Sequence, residues 1–87
     1  MSFRLEYKSS VIKELRKLPQ VDRAAIIDKI VLLKDYPKPV GSAKLKGSRD
    51  LYRIRHGDYR VVYKIQNLVL IVTVIRIGHR KEIYKGL

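Results

Sequence analysis

The chain has 87 residues, with 20 Lys and Arg against 8 Asp and Glu and neither cysteine nor tryptophan. That length holds one domain, residues 1–87, whose core must be compact and aliphatic. The absence of cysteine excludes a disulfide framework, thiolate catalysis and cysteine-bound zinc, and a net charge of +12 directs the surface toward polyanions or an acidic protein.

Phe3, Leu5 and Tyr7 alternate with Arg4 and Glu6, the period of a half-buried strand. Ser9 or Ser10 is placed to cap a helix with the apolar stripe Val11, Ile12, Leu15 and Leu18, which Pro19 stops. Asp22 is the expected cap of a second helix, with Ala25, Ile26, Ile30 and Leu33 as its stripe and Pro37 and Pro39 beyond its end. The short connection between them predicts an antiparallel hairpin. Residues 36–43 form a Pro/Gly linker. Strands are then expected over Leu51–Arg55, Tyr59–Gln66 and Leu68–Ile77, with turns at Gly57-Asp58 and Asn67. A basic tail, His79 to Leu87, closes the chain. Short turns make the last three strands an antiparallel meander. The order therefore predicts a two-layer α+β fold: strand, helical hairpin packed on one sheet face, three-stranded meander and short tail.

The longest apolar run, Leu68 to Ile75, is far shorter than the roughly 20 residues of a spanning helix. The first eight residues carry no apolar signal core. The sequence thus predicts a soluble cytoplasmic protein with no membrane partner.

Charge concentrates in the second half: residues 1–40 carry net +4 and residues 41–87 net +8. Strand alternation puts Arg53 and Arg55 on one side, and Arg60, Val62 and Lys64 on one side of the next strand. Tyr59, Val61, Tyr63 and Ile65 then form the helix-facing side. Arg76 and Arg80 are expected in the same basic region, with His79 and Tyr84 nearby in the tail. A guanidinium donates two parallel hydrogen bonds to a phosphate and stays charged at cellular pH. Several around one phosphate also stabilise charge developing at phosphorus; the plainer alternative is a basic face that binds nucleic acid through its backbone. No Walker loop, GxGxxG, HExxH or EF-hand pattern occurs. The two histidines lie 23 positions apart and the acidic residues are scattered, a poor metal set. No cofactor is expected, and any phosphodiester chemistry is expected to be metal-free.

The segments Lys44-Leu45-Lys46-Gly47, Leu51-Tyr52-Arg53-Ile54-Arg55, Gly57-Asp58-Tyr59-Arg60-Val61-Val62-Tyr63 and Gly78-His79-Arg80-Lys81-Glu82-Ile83-Tyr84 together resemble the RelE/ParE superfamily of toxin–antitoxin toxins, and more narrowly its RelE branch. Leu15-Arg16-Lys17-Leu18-Pro19 fits as well. The resemblance covers essentially the whole chain. It implies a β-α-α-β-β-β fold and a small metal-independent endoribonuclease that enters the ribosomal A site and cuts mRNA by attack of a ribose 2′-hydroxyl. It also implies an acidic, RelB-like or other type II antitoxin that neutralises the toxin. By position, Arg60 matches the arginine that grips the scissile phosphate, Arg80 the arginine assigned to transition-state or leaving-group stabilisation, and Tyr84 the tail tyrosine that stacks on or orients a base and is a candidate to help deprotonate the hydroxyl. Lys46 matches an RNA-backbone contact; Lys44, Lys64, Arg76 and Lys81 extend that RNA-binding set. Arg53 and Arg55 stand where the best-studied branch carries lysines, one of them proposed as general base. An arginine does not give up its proton, which leaves His79, Tyr84 or no discrete base, with His79 favoured by its intrinsic pKa. A ParE-like inhibitor of DNA gyrase and a non-catalytic basic RNA- or ribosome-binding module are the competing functions.

Overall fold

In the computed structural model, which describes residues 2–79 and 83–87, the apolar alternation of the first residues forms β1 (Arg4–Tyr7), and two helices follow at once, α1 (Ser9–Arg16) and α2 (Gln20–Leu32). The remaining strands are β2 (Ala43–Lys44), β3 (Leu51–His56), β4 (Tyr59–Gln66) and β5 (Ile71–His79). They form one sheet in the order β1-β5-β4-β3-β2. The predicted meander is present as β3, β4 and β5, all antiparallel. The first strand joins it parallel to β5, so the sheet is mixed.

Both helices cover one face, α1 against β5 and α2 against β3. Val11 and Leu15 from α1, Ile26 and Ile30 from α2, and Leu33 just beyond it meet Ile54, Val61, Tyr63, Ile65, Val72, Val74 and Ile77 from the sheet. The expected stripes are therefore the core, except that Ile12 stays 43% exposed. Among the described residues, no helix is long and apolar enough to cross a membrane.

Three local expectations are corrected. The Lys8 N–H donates to the Val74 carbonyl at 2.9 Å, which carries the chain directly from β1 into the helix. Lys8 thus takes the cap position, without a side-chain bond, and Ser9 and Ser10 are already helical. Pro19 occupies the cap of α2, and the Asp22 carboxylate turns instead to His56 at 3.1 Å. Leu68 and Val69 are exposed turn residues rather than strand, and Leu70 adopts a left-handed φ of 55°. Closing β4 onto β5 requires that conformation, so β5 begins only at Ile71.

The register of β4 against β5 breaks once. Val62 faces Arg76 and Tyr63 faces Val74, leaving Ile75 unmatched. This bulge inverts the alternation of β5. Val72 and Val74 face the helices before it, and Ile77 faces them after it. Arg76, which unbroken alternation would send into the core beside Val74, shares the opposite face with Val62. The bulged end is held from the helix layer, where Glu14 Oε1 accepts a hydrogen bond from the Ile77 N–H at 3.0 Å.

Tyr63 ties the linker to the sheet. Its ring is fully buried and its hydroxyl donates to the Pro37 carbonyl at 2.6 Å. Burial pushes this phenol up to about 12; a side-chain hydrogen bond with Ser42 opposes the shift and Tyr52 adds to it. The phenol's contribution to stability is complete below pH 10. From pH 10 to about 12 the unfolded phenol ionises while the folded one stays neutral, so that contribution is lost. Tyr63→Phe is expected to be less stable than the wild type by about 1 kcal/mol at neutral pH. Urea midpoints of the two proteins should converge between pH 10 and 12; a constant gap refutes the account.

Candidate nucleic-acid interface

Register decides which basic side chains share the sheet face turned away from the helices, because directly paired residues project from the same side. One row across the sheet is Ala43, Arg53, Val62 and Arg76. The adjacent row is Arg55, Arg60 and Gly78. Lys64 lies one row further, opposite Leu51 and Thr73. Four arginines thus occupy two neighbouring rows, and Arg55 stands directly across from Arg60. Like charges in that relation destabilise a sheet.

Among the described residues no acidic side chain pairs with Arg53, Arg55, Arg60 or Arg76; the four ion pairs present lie elsewhere. Among the described residues, Lys64 is the one basic residue of this face that has a carboxylate, Asp50 at 3.8 Å. Arg53 Nη1 reaches the Gly41 carbonyl at 3.3 Å. Arg53 and Arg55 also line a groove of about 420 Å³ along the β3 edge, with Lys29, Leu32, Pro39 and Val40. Arg60 is half-buried, and its Nη1 is shut from solvent with no hydrogen-bond partner among the described residues. A buried guanidinium N–H without an acceptor costs stability.

The tail lies against this face. Gly78 sits opposite Arg60, and a Cβ there would overlap the Ile83 side chain. Ile83 and Val62 are both buried, yet neither belongs to the core between sheet and helices. Arg76 Nη1 donates to the carbonyls of Ile83, at 2.7 Å, and Lys85. Tyr84, between those two residues, lines a cleft of about 350 Å³ with Leu45, Lys46, Gly47, Ser48, Leu51 and Leu87. Lys46 and Tyr84 are therefore brought to one cleft.

Two sequence-derived candidates lie elsewhere. His79 pairs with Tyr59, whose ring packs against the helix-side core, so its imidazole belongs to the other face. It sits edge-on to Tyr59, with ring centres 5.2 Å apart, and 3.9 Å from Asp58. The structure does not bring His79 to the arginines, because it is one residue out of phase with Gly78. Lys44 pairs with Tyr52, a partly buried residue of the same core, and is likewise directed away. Arg80 and Lys81 lie outside the described residues. Sequence reasoning missed the contact of Ile83 with Gly78. Its signal was a side-chain-free residue followed five positions later by an isoleucine within a basic tail.

The sequence matches the family described as "ParE toxin of type II toxin-antitoxin system, parDE" over residues 5–84. The chain belongs to the RelE/ParE toxin family. Within it, the chain is 33% identical over 88 residues to the mRNA interferase toxin RelE of Escherichia coli K12, covering 97% of this chain and 92% of that protein. It is 27% identical over 86 residues to toxin RelG of Mycobacterium tuberculosis, covering 98% and 99%. Its fold superposes on a chain of the archaeal RelE-RelB complex from Pyrococcus horikoshii OT3 with a TM-score of 0.82, at 29% identity and 94% and 99% coverage. The RelE/ParE sheet here thus carries an arginine face and a tail seated on it.

A buried guanidinium nitrogen without an acceptor burdens the fold that holds it. Arg60→Met removes a buried orphan donor and its repulsion with Arg55. This variant is expected to gain about 1 kcal/mol in urea unfolding. A loss of that size would assign Arg60 a structural role instead.

Proposed function

We propose that this toxin is a ribosome-dependent, metal-independent endoribonuclease of the cytoplasm that cuts mRNA in the A site. Its inhibitor is an acidic antitoxin of the RelB kind or another type II class. The observation that carries the reading is the buried, unpartnered Arg60 Nη1 within a face whose other arginines have no carboxylate among the described residues. Once the side chains that cover this atom part on binding, a scissile phosphate supplies the missing acceptor. The relative named mRNA interferase toxin RelE and the structural relative solved as a RelE-RelB complex support the same assignment.

In this reading the ribose O2′ loses its proton and attacks the adjacent phosphorus. The P–O5′ bond breaks, leaving a 2′,3′-cyclic phosphate, and the departing O5′ takes up a proton. Arg60 donates to the non-bridging oxygens, whose charge grows in the transition state. Arg53 and Arg55 add positive potential and accept no proton. Arg80 keeps the leaving-group position assigned by family resemblance. Tyr84 orients a base at the tail cleft beside Lys46, and Lys64 contacts backbone. His79, turned to Tyr59 and Asp58, takes no part, so the proton leaves through Tyr84 or without one discrete base. The ribosome supplies orientation that so small a surface lacks.

The test uses purified protein, ribosomes programmed with defined mRNA, tRNA in the P site and an empty A site, read by primer extension. Cleavage in the A site, reduced about 100- to 1,000-fold by Arg60→Met, is expected. Intact mRNA with inhibited DNA supercoiling would select the gyrase reading that the ParE description of the family also allows. Salt-sensitive ribosome binding without cleavage would select a binding module. In the same assay, His79→Gln should leave the pH–rate profile unchanged; a shifted limb would return His79 to the mechanism.

A further inference from the structure

Arg76 stands among the arginines of the sheet face, but its contacts differ from theirs. One nitrogen, Nη1, donates to the carbonyls of both Ile83 and Lys85. Those carbonyls bracket Tyr84 along the chain. The seat is completed by packing: Ile83 is 5% exposed and fills the space left by the missing side chain of Gly78. A single guanidinium and a single side-chain-free position therefore hold the turn that presents Tyr84 to its cleft with Lys46. The bulge at Ile75 is what makes this possible, since without it Arg76 projects into the core.

We infer, building on the nuclease reading, that Arg76 is a positioning residue that clamps the tail and sets Tyr84, and that it is not an RNA-backbone contact. Its Nη1 already serves two carbonyls, whereas Arg60 Nη1 has no acceptor among the described residues. A displacement of about 1 Å in a positioned group lowers a rate by up to about 100-fold, so the clamp acts on turnover through Tyr84.

A double-mutant cycle with an exchange measurement tests this. Arg76→Gln is expected to lower kcat about 10- to 100-fold while KM changes less than about 2-fold. The same substitution in a Tyr84→Ala background should cost nothing further, because the group it positions is gone. Ile83→Ala, which leaves every charge in place, should reproduce the kcat loss. The salt dependence of ribosome-bound cleavage should keep its slope. In both variants, hydrogen exchange of the Leu87 amide, bonded to the Tyr84 carbonyl at 3.3 Å, should accelerate. Additive losses with Tyr84→Ala, or a salt slope reduced by about 0.7, would instead mark Arg76 as a phosphate contact. Unchanged exchange at Leu87 would overturn the clamp. If the wild type cuts nothing, the nuclease reading fails while the exchange result still decides whether Arg76 holds the tail.

Discussion

The unmatched Ile75 in β5 is the constraint on which the rest of the molecule turns. A strand packed against two helices must send alternate residues inward, and β5 does so with Val72 and Val74. Continued without interruption, that alternation would bury Arg76 and expose Ile77. The one-residue slip opposite Val62 and Tyr63 exchanges them. The backbone disturbed by the slip is secured from the helix layer, where Glu14 accepts from the Ile77 amide. One irregularity therefore completes the apolar core on one face and provides the tail's anchor on the other. The helices reach the arginine rows through Glu14, through packing and through Lys29, whose Nζ donates to the Arg55 carbonyl at 2.9 Å.

The two faces follow opposite physical rules. On the helix side the buried residues pack as one apolar cluster, and the hydroxyl of the buried Tyr63 is bonded to Pro37. On the other side, Arg55 and Arg60 oppose one another and Arg60 buries a donor that nothing described accepts. This conflict in an otherwise consistent fold is the physical basis for placing the proposed RNA contact on this face. Arginine at positions 53, 55, 60 and 76 makes that surface electrostatically fixed: no member of the four can relieve the repulsion by losing its proton.

Most of the architecture was legible because it rests on periodicity. The stripes of α1 and α2 and the alternation of Tyr59 to Ile65 predicted the core and the basic face of β4. What periodicity does not carry was misread. A bulge breaks the period, although Val74 and Ile77 three apart hint at one. Caps failed at Ser9, Ser10 and Asp22 because contacts distant in sequence, to Val74 and His56, decided where the helices begin. His79 was assigned by its titration range, yet its side of the strand follows from cross-strand pairing with Tyr59. Arg76 was grouped with the other arginines by charge and does share their face, but charge gave no sign of its two carbonyl partners in the tail.

The crowded arginine face bears on folding as much as on binding. With four guanidinium groups in two adjacent rows and no described carboxylate among them, the folded chain concentrates repulsion that the unfolded chain disperses. Mobile ions screen such repulsion over roughly 8 Å at physiological ionic strength. The medium is therefore part of what holds this sheet together, and under the proposed function a bound polyanion would act as a stabilising ligand of the native state. Substrate and inhibitor would then draw on the same reserve of unfavourable energy, so that relief by one leaves less for the other.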